Sequence, residues 1–410
     1  MKRLNKGRNL RLNKALKPLL LAAALLALPG CWNRKELNEI SIATAFGFDA
    51  REDRYLVSVQ LVNASEIADK QGGGGRVPVV TVQQSTGRTI FESIRAMTTT
   101  TPRKIYSSHL RILVIGEDMA RAGIAKLLDG LSRDHELRTD FYIIVARGTK
   151  ASDILQVLTP LEKLPTDKMF SSLEASQRNW GITARVDLHE LINDLVDKGV
   201  DPVLAGIVIE GSNEIGRTDA NLDSVRPPAT LKYQGLAVFR KDKLVGWLND
   251  EQSKGYNYIR GTLKSTIVRL PCRKGGELAV ELIHTSHGIK GKIRDGKPEI
   301  EVRLSAEGNI GEVECAINLN TPRAIPLLEA ELSEAIKENM EATIAQAKAY
   351  RSDIFGFGSA IHRADYRAWN RMKDRWDDEF VHLPVHVTVK AKIRRTGSVV
   401  ESFLERMEDS

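Results

Sequence analysis

The first thirty-one residues constrain this chain most, because they decide where the remainder must fold. Lys2, Arg3, Lys6, Arg8, Arg11, Lys14 and Lys17 precede an apolar run from Leu19 to Leu28, followed by Pro29-Gly30-Cys31. Basic, then apolar, then small is the layout of a secretory signal. A cysteine directly after Leu-x-Gly matches the bacterial lipobox, where the thiol takes a diacylglyceryl group and becomes the new N-terminus. The run from 19 to 28 is half the roughly 20 residues a spanning helix needs. Pro18 and Pro29 bracket it, and charge returns at Arg34, Lys35 and Glu36. Residues 1–30 are therefore expected to be a lipoprotein signal peptide. Cys31 is expected to be the lipidation site, holding the rest outside the cell membrane through acyl chains of the palmitate kind.

Removing that segment changes the charge balance. The whole chain carries +7, from 60 basic and 53 acidic residues. Residues 1–30 hold seven basic residues and no acidic ones, so from Cys31 onward 53 cations meet 53 anions. A neutral chain offers no argument for nucleic acid, which needs a basic footprint. Two further cysteines, Cys272 and Cys315, lie in the C-terminal half. Outside the membrane they form either a disulfide or two buried thiols, and their spacing makes no zinc site.

The apolar patterning predicts an α+β fold of more than one domain, with mixed sheets, packed helices and two long helices in the C-terminal part. Ile40–Phe48 and the alternating Arg54–Val62 predict a hairpin. Thr86–Met97 and Met119–Leu131 predict helices, and strands at 110–115 and 141–146 around the second make a β-α-β unit. Further helices are expected at 151–158 and 186–198. Residues 210–230, rich in Gly, Asn, Asp and Pro, predict a long polar loop. The expected division is an N-terminal domain over 31–205, a linker over 206–230 and a C-terminal domain over 231–410. In the last, 235–239 and 244–248 form a hairpin around a charged turn, and strands at 278–284 and 299–306 flank an Asp295-Gly296 turn. A helix over 326–350 carries Leu328, Leu332, Ile336, Met340, Ile344 and Ala347 on one stripe. A second helix over 359–380 and a strand over 381–393 follow.

No candidate for chemistry assembles into a set. His382 and His386 are four apart, but Pro384 forbids a helix between them, and on a strand both face the polar side. His284 and His287 have no carboxylate or cysteine beside them at ligand spacing and read as a surface loop. Ser108-His109 suggests nucleophilic catalysis, yet adjacent residues of an extended chain point apart, and no Gly-x-Ser-x-Gly elbow exists. Gly72 to Gly75 lack the Gly-Lys-Ser/Thr of a phosphate loop. Arg363, Arg367, Arg371 and Arg375 recur every four residues but are interleaved with aspartates, as on a solvated face. No catalytic, metal or cofactor-binding residue is assigned.

With these segments laid out, the chain resembles the Ger(x)C family of spore germination lipoproteins. Cys31-Trp32-Asn33-Arg34-Lys35-Glu36-Leu37 is similar to that family's Cys-Trp-Asp-x-x-Glu-Leu start, with Asn33 where an acid is expected. Ser108-His109-Leu110 followed by Gly116-Glu117-Asp118-Met119-Ala120-Arg121-Ala122-Gly123 resembles its His…Gly-Glu-x-x-Ala-Arg-x-Gly segment. Gly235–Phe239 with Leu244–Leu248, and Asp353-Ile354-Phe355-Gly356-Phe357-Gly358 with Trp369 and Trp376, match its C-terminal half. The resemblance implies a non-enzymatic C subunit of a germinant receptor, working with integral membrane A- and B-type subunits on the outer face of the inner spore membrane. It transfers one site, the lipidated Cys31. A lipoprotein solute-binding protein feeding a transporter is the alternative, but that fold has two similar α/β lobes, and here β-α-β character is confined to the N-terminal part. A wall-directed hydrolase would need the acid/base set that is missing. Cys31→Ala is expected to leave the chain unlipidated and out of the membrane fraction; normal membrane retention of that variant would refute the anchor.

Overall fold

The computed structural model describes residues 40–63, 78–272, 275–314, 317–319 and 321–395. The N-terminal half is built on one nine-stranded sheet. β1 (Ile40–Arg51) and β2 (Arg54–Val62) form the expected hairpin, and β3 (Val80–Gly87) extends it at the edge. α1 (Ile90–Ala96) follows, opened by a capping box between Thr89 and Glu92. β4 (Lys104–Tyr106) joins β1, and β5 (Ile112–Gly116) runs parallel to it. The helix expected over 119–131 is two helices, α2 (Glu117–Ala122) and α3 (Ala125–Ser132). Gly123, at φ +127°, breaks it in a backbone conformation closed to most side chains.

β6 (Tyr142–Ala146) and α4 (Ala151–Gln156) complete the unit. α5 (Pro165–Asn179) and α6 (Leu188–Val196) lead into β7 (Val203–Gly211). β1, β5, β6 and β7 are parallel neighbours, and their apolar runs are buried on both faces, as parallel strands must be.

Residues 206–230 are not a simple linker. They hold the second half of β7, a helical turn at Asn213–Gly216 and a 3-10 turn at Asp219–Asn221. Val203 to Ile207 are almost wholly buried, which draws this stretch into the sheet. β8 (Ala229–Arg240) then pairs antiparallel with β7, and β9 (Lys243–Leu248) with β8. One sheet therefore takes strands from both halves, and one hydrophobic core runs from Ala43 to Ala391.

The second sheet has the order β10 (Thr266–Pro271), β11 (Glu277–Arg294), β12 (Lys297–Val313) and β13 (Val385–Arg395), with α7 (Asp250–Arg260) preceding it. Asp295 and Gly296, both at positive φ, make the tight turn between β11 and β12 that their sequence predicts. α8 (Ala324–Tyr350) buries its whole expected stripe. It also closes the sheet edge: Ser333 Oγ accepts the Ala391 N–H and Glu329 the Ile393 N–H, each at 3.0 Å.

The second long C-terminal helix does not form as one rod. It is α9 (Phe357–Ala364), α10 (Tyr366–Met372) and α11 (Trp376–His382), joined by a 3-10 turn. Asp365 breaks it in extended conformation, its side chain accepting the Ala368 N–H at 2.8 Å to start a new helix. Among the described residues no helix is long and apolar enough to cross a membrane.

Candidate functional site at the junction of the two halves

The residues singled out for chemistry do not converge. Ser108 Oγ donates to the Glu136 carbonyl at 2.9 Å, while His109 is exposed and lies edge-on to Tyr106. His284 and His287 sit within β11 rather than in a loop, opposite Glu307 and Leu304, on opposite faces. His382 ends α11 rather than opening a strand, and His386 lies on β13. The four arginines from 363 to 375 fall on three short elements, so only Arg367 and Arg371 share a helix face. Among the described residues no group of three or more His, Cys, Asp or Glu side chains could hold a metal ion. Cys272, directly after β10, is disulfide-bonded. Cys31, Cys315 and the glycines at 72–75 lie outside the described residues.

What the fold does bring together are the segments that carry the resemblance, in two clasps. The first joins α2 to the β8–β9 hairpin. Glu117, at the carboxyl end of parallel strand β5, accepts the Gly148 N–H at 2.7 Å and the Trp247 indole N–H at 3.3 Å, and pairs with Arg121 at 2.5 Å. Arg147 stacks over the Trp247 ring, 4.9 Å from its centroid. Burial works against the Glu117 charge, but Gly148, Arg121 and Trp247 together hold its carboxyl below the usual range. The hairpin turn grips the break after α2. Asp242 accepts the Ile124 N–H on its carbonyl at 2.9 Å, and a side chain at Gly123 would strike its carboxylate.

The second clasp centres on Asp353, 2% exposed. Its Oδ1 accepts the N–H groups of Phe355, Gly356 and Phe357 at 3.0–3.2 Å. Its Oδ2 accepts Gly358 N–H at 2.8 Å and Trp376 Nε1–H at 2.9 Å. Gly356 sits at φ +75°, which lets the loop wrap the carboxylate. Asp353 N–H donates to Asp201 Oδ2 at 3.0 Å, and Asp201 N–H returns a bond to the Asp353 carbonyl at 2.8 Å. Asp201 Oδ1 accepts Lys241 N–H at 2.7 Å, so one residue ties the start of β7, the Asp353 loop and the β8–β9 turn. Gly199 lies against Gly358 so closely that an added Cβ would sit 2.4 Å from Ser359 N.

Around this clasp carboxyls crowd the buried cation of Arg260. Arg260 donates to the Phe355 carbonyl at 3.3 Å, with Tyr256, Asp194, Glu190 and Asp353 about it. Burial pushes Asp194, Asp201 and Asp353 up to about 6, against the pull of Arg260 on Asp194 and of backbone N–H groups on the other two. Sequence reading missed this group because its members are scattered from 190 to 353. The one local signal was an aspartate followed by two closely spaced glycines, Asp353 before Gly356 and Gly358.

A two-half α+β protein whose halves are tied by two clasps at their junction is the class these observations define, and comparison with known proteins places it. Residues 33–209 match the family model described as "Spore germination protein N-terminal domain", and residues 234–397 match "Spore germination B3/ GerAC like, C-terminal". Spore germination protein KC of Bacillus subtilis is 31% identical over 94% of this chain and 96% of its own length. Spore germination protein B3 of the same organism is 25% identical over 92% and 96%. The chain belongs to the GerAC-like family of spore germination proteins. The crystal structure of the GerBC protein shares the fold, with a TM-score of 0.54, 19% identity, and coverage of 85% of this chain and 96% of that one.

The buried carboxyls give a pH signature. Their folded pKa values exceed the unfolded ones, so the native state binds more protons between about pH 4 and 6. Stability is therefore present at the acid end of that window and is lost as pH rises through about 6. Melting temperature is expected to fall across the window by the equivalent of a few kcal/mol. Asp194→Asn is expected to flatten part of that slope, by on the order of 1–2 kcal/mol; an unchanged slope in thermal melts would contradict the assignment.

Proposed function

We propose that this chain is the non-catalytic C subunit of a spore germinant receptor, anchored by lipid on Cys31 to the outer face of the inner spore membrane. There it works with integral membrane A- and B-type subunits in nutrient signalling. The observation that carries the reading is the meeting of the family's N- and C-terminal segments at Glu117–Trp247 and Asp201–Asp353. The charged groups buried at the junction hold the two halves in one arrangement. Such a body suits a subunit that transmits or braces, rather than one that turns over a substrate. In this reading residues 31–205 and 231–410 are the two domains, and 206–230 joins them, its first residues belonging to a strand of the sheet they share.

The direct test is purification of the tagged full chain from spore membranes, with the nutrient response of a strain lacking it as the second readout. Co-purification of the integral membrane subunits and a lost nutrient response are expected. Tight calorimetric binding of an amino acid or sugar without membrane partners would favour the solute-binding alternative. Turnover of peptidoglycan by the purified chain would overturn the non-catalytic role.

We also propose that Cys315 is the partner of Cys272. Pro271, before Cys272, pairs with Glu277, and Glu314, before Cys315, donates its N–H to the Glu277 carbonyl at 3.0 Å. The residues preceding both cysteines thus flank the same end of β11. Cys272→Ser and Cys315→Ser are expected to give the same slower migration on non-reducing gels, and a shift in one variant alone would exclude the pairing.

A further inference from the structure

The second sheet has one covered face and one open face. On β11, β12 and β13 the register puts Ile289, Val302 and Val387 on one side and Gly288, Arg303 and Thr388 on the other. The first set packs on the core, as do Ile300, Leu304 and Ala391. α8 and α9 reach the sheet on that side, where Ile336, Ile344 and Ile361 join the same core. The second set is exposed along the length of all three strands. An antiparallel hairpin with one wet face is ordinary, and polar residues there need no explanation. The sign of the charge does.

The open face carries Lys290, Lys292 and Arg294 on β11, and Arg303 on β12. Lys390, Lys392 and Arg394 continue it on β13. Against these seven cations stand four carboxylates, Glu281, Glu299, Glu301 and Glu307. The chain from Cys31 onward is electrically balanced, so this is a local concentration of positive charge. Three of the four carboxylates are already engaged. Glu301 lies between Lys292 and Arg303, Glu299 pairs with Arg294 at 3.6 Å, and Glu307 with Arg394 at 2.5 Å. Lys392 turns to Glu329 of α8 at 2.8 Å. Lys290 and Lys390 are exposed, and neither is in a close ion pair among the described residues; Lys290 acts on Glu301, opposite it on β12, only through space.

We propose that this open sheet face lies on an anionic phospholipid surface. The choice of a lipid surface over an acidic protein rests on what the face lacks. Protein interfaces enrich aromatic anchors and exclude Lys and Glu from their centre. Here Lys and Glu occupy the centre, and the only rings are His284 and His386. Of the large apolar side chains that are exposed among the described residues, only Ile283, at a bulge of β11, belongs to these strands. Long cationic side chains over a wide polar face suit a layer of mobile phosphate groups. There each Lys or Arg adds about fivefold to partitioning at low salt, and screening removes it. The proposal does not depend on lipidation of Cys31, and a face with this property would fix how the body lies on a membrane it is tethered to.

The test uses the full chain carrying Cys31→Ser, so that no acyl group contributes, and vesicles of phosphatidylcholine with or without roughly one-third phosphatidylglycerol. Lys290→Glu with Lys390→Glu is expected to weaken partitioning onto the anionic vesicles by about tenfold or more at ~0.1 M salt, with partitioning onto pure phosphatidylcholine unchanged. The difference should vanish at ~0.5 M salt, and the thermal melt should fall only slightly, since Lys390 has no ion pair and Lys290→Glu sets a carboxylate opposite Glu301 on an exposed strand. A control reversal on another surface, Lys126→Glu with Arg178→Glu, should leave vesicle binding near that of the parent; residues 1–30 are common to all three. Equal partitioning of parent and Lys290/Lys390 variant would overturn the proposal. So would an equal loss in the control, which would mean bulk charge alone. Loss of a protein partner from the Lys290/Lys390 variant with vesicle binding intact would make the face a protein-docking surface instead, and would also overturn it.

Discussion

The structure depends most on one buried carboxylate. Asp353 is sealed from water, and five N–H donors converge on it, four from its own loop and one from the Trp376 indole. A charge in that position is costly unless every lone pair is engaged, and here the engagement dictates the backbone path from 353 to 358. The same residue exchanges two bonds with Asp201, which also holds the β8–β9 turn. Removing one member of such a network leaves others buried without partners, which typically costs about 3–5 kcal/mol, so these segments stand or fall together.

The Glu117 clasp lies at the other contact between the two halves. It sits where parallel strands β5 and β6 end, the place in an open α/β sheet where ligands commonly bind. In this chain Trp247 from the C-terminal half occupies that place, with its indole on Glu117 and Arg147 stacked on its ring. A position that many sheets offer to a small molecule is filled by the protein itself. The continuous sheet and shared core make the two halves one mechanical body.

The sequence showed the elements whose burial follows their own periodicity. β1–β2, the β11–β12 turn and the stripe of α8 were legible because each needs only local spacing or a turn pair. α7 was not legible. It buries Ser253, Lys254 and Asn257 beside Tyr256, Tyr258 and Ile259, and its amide Asn257 bonds to the Gly181 and Thr183 carbonyls, so polar residues interrupt any apolar period. Its capping box of Asn249 and Gln252, and Gly261 at its end, were the signals available. The run from 359 to 380 erred the other way. Its apolar spacing suits one rod, but Asp365 gains more by capping a new helix, and the break lets Trp369 and Trp376 pack edge to face, 5.2 Å apart.

By itself the sequence determined the class of chain: a signal-like start ending at Cys31, a neutral body after it, α+β patterning, and motif segments that resemble one family. Those properties are local, written in spacing, charge and residue type. Only the tertiary structure decided what the motif segments are for, because Glu117 and Trp247 lie 130 positions apart and Asp201 and Asp353 lie 152 apart. It likewise decided that seven cations on three strands share one face, since strand register, which joins residues distant in sequence, is fixed by which side is buried.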